Sequence, residues 1–118
     1  MKYLCLIYEN EGAFAAMPKD EMGKMFGEYH AFTSEVKASG QYLGGEALQP
    51  TAAATTVRVR GGKVQTTDGP FAETKEQLGG FYLVEARDLN EAIQIAGRIP
   101  GARYGSVEVR PVLAFSAP

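Results

Sequence analysis

The densest run of side chains able to do chemistry is Asp68-Gly69-Pro70-Phe71-Ala72-Glu73-Thr74-Lys75-Glu76-Gln77-Leu78-Gly79-Gly80, a charged loop with a rigid turn at one end and paired glycines at the other. Asp68 carries a carboxylate suited to accept a backbone hydrogen bond two residues on. Gly69 permits positive φ, and Pro70 fixes its own φ while removing a donor. Such a turn holds the first carboxylate in one orientation. Glu73, Lys75 and Glu76 follow, and a short helical turn over residues 72–77 would set Glu73 and Glu76 on one face. Two carboxylates beside a lysine can have their pKa values pushed apart, the condition for acid and base work. The plainer alternative is that the loop is only a solvated turn, because Asx turns open many loops.

Other polar residues are candidates for the same cleft. Tyr8 ends the first apolar run, where its hydroxyl can face a substrate while the ring packs. Arg110, between Val109 and Pro111, has the paired donors that hold a carboxylate or phosphate, and a salt bridge on the solvent face is the competing role. Glu46, after Gly44-Gly45, stands near a strand end. One histidine and scattered carboxylates make no metal-ligand spacing, so no metal is expected. Gly79-Gly80 leads into a strand rather than a helix, which argues against a phosphate-binding loop.

Length and composition narrow the classes. A chain of 118 residues with 45% hydrophobic content suits one domain, residues 1–118, around a single core. Its net charge is -2 and its twelve Lys and Arg are scattered, so there is no basic stripe and no nucleic-acid partner is expected. Cys5 is alone, which excludes an internal disulfide and a cysteine-based metal site, and its default role is a small core residue. The apolar run at residues 4–7 is too short for a signal peptide, with Glu9 and Glu11 close behind, and no segment is long enough to span a bilayer. The expected location is the cytoplasm.

The elements that must position these residues form a pattern that occurs twice. Residues 2–8 read as a strand, followed by a loop and a helix opening at Pro18, with Met22, Met25, Phe26, Tyr29, Phe32, Thr33 and Val36 at three- and four-residue steps. Gly40 stands where a left-handed cap ends that helix, and residues 41–48 read as the next strand. In the second half residues 80–86 are a strand. Asp88-Leu89-Asn90-Glu91 resembles a capping box, and a short helix carries Leu89, Ala92, Ile93, Ala96 and Ile99 on one face. That helix stops before Pro100-Gly101 and leads to a last strand over residues 106–113. Between the halves, residues 55–60 and 63–67 flank Gly61-Gly62, a tight hairpin.

Two βαβ units in tandem predict an α+β, ferredoxin-like βαββαβ fold with an inserted hairpin and both helices on one face of an antiparallel sheet. The other sheet face is left with apolar residues, and a second subunit is the expected cover, giving a homodimer.

These residues carry a family resemblance. The Asp68-to-Gly80 run continuing into Phe81-Tyr82-Leu83 is similar to the DGPF group of the YCII-related proteins. So are the Met1-Lys2-Tyr3-Leu4 strand and the strand Val107-Glu108-Val109-Arg110-Pro111-Val112, and together the likeness spans nearly the whole chain. The resemblance implies a ferredoxin-like fold of the dimeric α+β barrel type. It also implies a suspected enzyme with a helix histidine and an aspartate as acid and base, one relative being a dehydrochlorinase of a hydroxyquinol. A link to extracytoplasmic-function sigma factors is a further implication.

Carried over residue by residue, the aspartate is Asp68. The family's helix histidine lies eleven residues before the glycine that ends the helix, which here is Tyr29. The only histidine, His30, comes one place later, rotated by about 100° around the helix. His30 at the margin of the apolar face and Tyr29 as a replacement donor are therefore both candidates. The expected catalytic set is Asp68, His30 and Tyr29, with Tyr8, Glu73 and Lys75 binding substrate. Two readings stand. One is a cofactor-free enzyme doing acid and base chemistry on a small polar organic molecule near Asp68, of lyase, isomerase or dehydrochlorinase type. The other is a ligand-binding or regulatory dimer with the charged loop as its contact surface, associated with a sigma factor.

Overall fold

The computed structural model describes residues 1–115, so the last three residues of the domain expected over 1–118 lie outside the described residues. Strand β1 (Lys2–Glu9) leads through two helices, α1 (Glu11–Ala15) and α2 (Lys19–Ala38), to β2 (Tyr42–Ala47). A hairpin of β3 (Thr55–Arg60) and β4 (Lys63–Asp68) follows. Then come β5 (Gln77–Glu85), α3 (Leu89–Gly97), α4 (Gly101–Tyr104) and β6 (Ser106–Pro111). The main sheet runs β2-β5-β1-β6 with every pairing antiparallel, the ferredoxin-like order, and the hairpin is a separate two-stranded sheet.

Strand period explains which face is buried. Tyr3, Cys5 and Ile7 alternate into the core beside Val84 and Ala86, under Phe32 and Val36 of α2 and Ala92, Ile95, Ala96 and Ile99 of the second half. The intervening Leu4 and Leu6 pair with Leu83 and Phe81 across β5 and with Arg110 and Glu108 across β6, on the face away from the helices. Cys5 is fully buried, and burial pushes its thiol up to about 11, as expected of a core residue.

Local chemistry sets the element ends. Beyond the C-cap Ser39, Gly40 takes φ 77°; its N–H donates to the Lys37 carbonyl and that of Gln41 to the Val36 carbonyl, a full Schellman motif. Gly61 (φ 58°) and Gly62 (φ 75°) both need the left-handed region, as a two-residue hairpin turn with the primed twist requires. The Asp88 carboxylate accepts from the Glu91 N–H at 2.9 Å, and Glu91 returns to accept from the Arg87 N–H. Among the described residues no helix is long and apolar enough to cross a membrane.

Several expectations are corrected. Residues 72–77 form no helical turn. The Thr74 hydroxyl donates to the Glu76 carbonyl and the Gln77 amide to the Thr74 carbonyl, so side chains take the backbone acceptors that a helix would use. Gly79-Gly80 does not end the loop but lies inside β5. On α3, Leu89 and Ile93 are exposed while Ile95 is buried: in so short a helix two overlapping apolar stripes share Ala92 and Ala96, and packing into the common core over the sheet selects the second. α3 ends at Gly97, before Pro100-Gly101 as expected, but it does not lead straight to the last strand: α4 intervenes, with Pro100 as its N-cap. The segment after β1 contains α1, capped by Asn10, whose side chain accepts from the Ala13 N–H at 2.9 Å. The last strand ends at Pro111 rather than Leu113.

Candidate functional site

On the helix side of the sheet, between α1, the middle of α2 and strands β1, β2 and β5, lies a cavity of about 350 Å³. Its wall includes Phe14, Met25, Phe26, Tyr29, Tyr42 and Tyr82. Phe26 is half exposed, at the mouth of the cavity rather than in the core, which departs from its place on the expected apolar stripe. The polar side chains in the wall are few: Glu9, Tyr29, Thr33, Tyr42, Glu46 and Tyr82. Thr33 and Tyr82 share one hydrogen bond, hydroxyl to hydroxyl, at 2.7 Å. Glu46 pairs with Phe81 in the sheet register, on the face away from the helices, so it reaches the cavity by its backbone edge. The Tyr42 hydroxyl has no hydrogen-bond partner among the described residues, and two further groups stand out as an acid and base pair.

The first is Glu9. The alternation that buries Tyr3, Cys5 and Ile7 continues to Glu9 and brings its carboxylate under α2. It lies where a side chain at Gly79 would begin, since a Cβ built there would be 2.3 Å from Glu9 Oε1. Among the described residues this carboxylate makes no hydrogen bond and no ion pair, whereas neighbouring Glu11 accepts from both the N–H and the hydroxyl of Thr51 at 2.8 Å. Burial, and after it the charge of Glu11, raises the Glu9 pKa above its ordinary 4.5.

The second is Tyr29. Its hydroxyl accepts from the Gly101 N–H at 3.1 Å, and a Cβ at Gly101 would be 2.6 Å from that oxygen, so glycine is needed for the approach. Among the described residues no acceptor takes the phenol proton. Burial first and the Glu9 charge second push this phenol up to about 12, against the lowering effects of the Gly101 N–H and Arg103. It therefore stays protonated at neutral pH and is a donor, while Glu9 is an acceptor: two titratable groups in one cavity with opposite proton roles. No lining residue is Lys, Arg or His. The nearby Arg103 is ion-paired to Glu28 instead.

The expected site residues are dispersed. Tyr29 lines the cavity, but His30, next to it on α2, is exposed and does not. Asp68 is exposed at the end of β4, opposite Thr55, and does not line the cavity either. Its turn is held by backbone and by Thr56: the Gly69 N–H donates to the Ala54 carbonyl at 2.8 Å, and the Thr56 hydroxyl to the Gly69 carbonyl at 2.9 Å. The expected Asx bond is not made because the residue two on is Pro70, which has no N–H. Tyr8 and Lys75 share an open hollow with Asn10, Thr74 and Glu76, and Glu73 and Lys75 share another with Thr51, Pro70 and Gln77. Arg110 pairs with Glu108 on the solvent side, the competing role weighed for it. Among the described residues no cluster of His, Cys, Asp and Glu could hold a metal.

Glu9 was readable only as the next member of the period-two series Tyr3, Cys5, Ile7. Its closeness to Tyr29 and Gly79 is tertiary.

Comparison with known proteins adds a family to this geometry. The model of the YCII-related domain matches residues 1–116. An uncharacterized protein of Rhizobium meliloti (strain 1021) is 38% identical over 117 residues, spanning 98% of this chain and 94% of that relative.

Proposed function

The chain belongs to the YCII-related family, and from that premise we propose that it is a small cofactor-free enzyme that moves a proton on an organic molecule held in the Glu9–Tyr29 cavity. The observation that carries the reading is an unpartnered, partly buried carboxylate sharing an apolar cavity with a phenol whose proton is free. In the reaction the Glu9 carboxylate takes a proton from a carbon next to a carbonyl. The C–H bonding pair becomes the C=C bond of an enolate, the carbonyl π pair moves onto oxygen, and the Tyr29 O–H donates a hydrogen bond to that oxygen as charge develops. Return of the proton to a neighbouring atom completes an isomerisation, and departure of a leaving group completes an elimination. A positioned base is worth about 10²–10⁴-fold, and a donor at the developing oxyanion about 10²–10³-fold. The reading places the acid and base pair in the cavity instead of at Asp68. The Asp68, Glu73 and Lys75 loop is then a surface element beside it. Its test is exchange of substrate C–H for deuterium by the native protein against Glu9→Gln.

A homodimer accompanies this reading, supported by the apolar Leu4, Leu6, Phe81 and Leu83 face left uncovered by the helices. A second reading, a regulatory or ligand-binding dimer working with an extracytoplasmic-function sigma factor, is favoured by the hairpin. Its register puts exposed Val57, Val59 and Val64 on one face and Arg58, Arg60 and Lys63 on the other. An exposed two-faced arm suits a protein partner. Sedimentation of the native chain and of Leu6→Glu decides the dimer: a wild type that sediments as a monomer would remove it.

A further inference from the structure

The charge inside the cavity restricts what it can take. Glu9 supplies one negative charge without a counter-ion, Arg103 is occupied by Glu28, and Lys37 lies over the Tyr42 ring at 5.0 Å outside the cavity wall. Resting on the proton-transfer reading above, we infer that the substrate is an uncharged molecule with an aromatic or compact apolar body and one carbonyl oxygen, and that carboxylates and phosphates are rejected.

An apolar cavity of about 150 Å³ accepts benzene, so the volume here, about 350 Å³, accommodates a substituted ring or a bicyclic body. Its wall of Phe14, Met25, Phe26 and the Tyr42 ring gives such a body apolar surface on several sides, while Glu9 and Tyr29 set its orientation.

Before reaction the single negative charge is on Glu9; after abstraction Glu9 is neutral and the charge is on the substrate oxygen, facing the Tyr29 donor. The cavity carries one negative charge at every stage, and the Tyr29 donor stands where that charge arrives. An anionic substrate would bring a second negative charge into a partly desolvated wall lined by no cation, so repulsion from Glu9 acts on its binding and grows with burial. The phenol of Tyr29 offers an anion one hydrogen bond, the same bond it offers a neutral carbonyl, so it offsets little of that repulsion.

Benzamide and benzoate are nearly identical in shape and differ in charge, which isolates this term. Each is titrated into the intact chain at neutral pH, following the backbone amide resonances of Gly79, Gly80 and Tyr82, and the titrations are repeated with Glu9→Gln. The expected result is binding of benzamide with shifts at those residues, benzoate weaker by about tenfold or more, and a difference shrinking to within about threefold in Glu9→Gln. Benzoate binding as tightly as benzamide to the native chain, or a preference that survives in Glu9→Gln, would overturn the inference, as would shifts confined to other surfaces or none. The readout is binding alone, so it is independent of turnover. Absence of exchange by the native chain in the deuterium experiment, with the charge preference intact, would sink the reaction and leave the ligand class standing.

Discussion

Substituting Gly79 by alanine perturbs the proposed base without touching it. A Cβ at that position lies 2.3 Å from Glu9 Oε1 and 3.1 Å from Cδ, whereas ordinary van der Waals contact begins near 3.4 Å. The carboxylate must retreat by about 1 Å, and as the flexible end of a side chain it gives way more readily than the strand does. Glycine inside a strand costs roughly 0.5–1 kcal/mol relative to alanine, so the variant is as stable as the wild type or more so. Retreat also moves Glu9 toward water, and burial is the first cause of its raised pKa. The titration midpoint of Glu9, followed by carbon NMR of its carboxyl, therefore falls in Gly79→Ala toward the ordinary value. Stability follows the same group. The folded chain keeps a proton that the unfolded chain has already released, so stability falls as pH rises from the ordinary 4.5 through the raised folded value. In Gly79→Ala that decline is shallower. A base misplaced by about 1 Å costs about 10²-fold in rate. An unchanged Glu9 midpoint together with a melting temperature lowered by about 4 °C or more would show that the strand moved instead of the carboxylate, and would refute the reasoning.

Tyr29→Phe removes the acceptor of the Gly101 N–H and should destabilise by about 1 kcal/mol in denaturant unfolding, with a loss of turnover far larger than that change in folding explains. Asp88→Ala deletes the cap of α3 and should cost about 1 kcal/mol, seen as a lower denaturant midpoint at unchanged slope. Cys5, fully buried and with its thiol pushed up to about 11, should resist alkylation at pH 8 in the native chain and react once denatured, as read by mass spectrometry.

The sequence was most legible where a residue type answers a local backbone demand. Gly61-Gly62 announced a primed turn, Gly40 a left-handed cap and Asp88 a helix start, and all three stand where expected. Two recurrences of strand, helix and strand were enough for the ferredoxin-like order. Legibility failed where tertiary packing decides between equal local signals. Leu89 and Ile93 fit a helical stripe as well as Ile95 and Ile99 do, and only the sheet beneath chooses. The candidate site was half legible. Tyr29 stands where the family resemblance puts a helix histidine, and it lines the cavity; Asp68, in the run of densest charge, does not. Glu9 stood in a strand whose role looked purely structural, and the neighbours that give it meaning, Gly79 and Tyr29, are far along the chain.

The central claim is that proton transfer belongs to Glu9 and Tyr29. Its most direct test follows C–H to C–D exchange by NMR in deuterated buffer, over a panel of uncharged aryl ketones, with wild type, Glu9→Gln, Tyr29→Phe and Asp68→Asn compared at equal concentration. The account predicts exchange by the wild type and by Asp68→Asn, reduced about 10²-fold or more in Glu9→Gln and Tyr29→Phe. Exchange retained in Glu9→Gln and lost in Asp68→Asn would contradict it and return the chemistry to the loop.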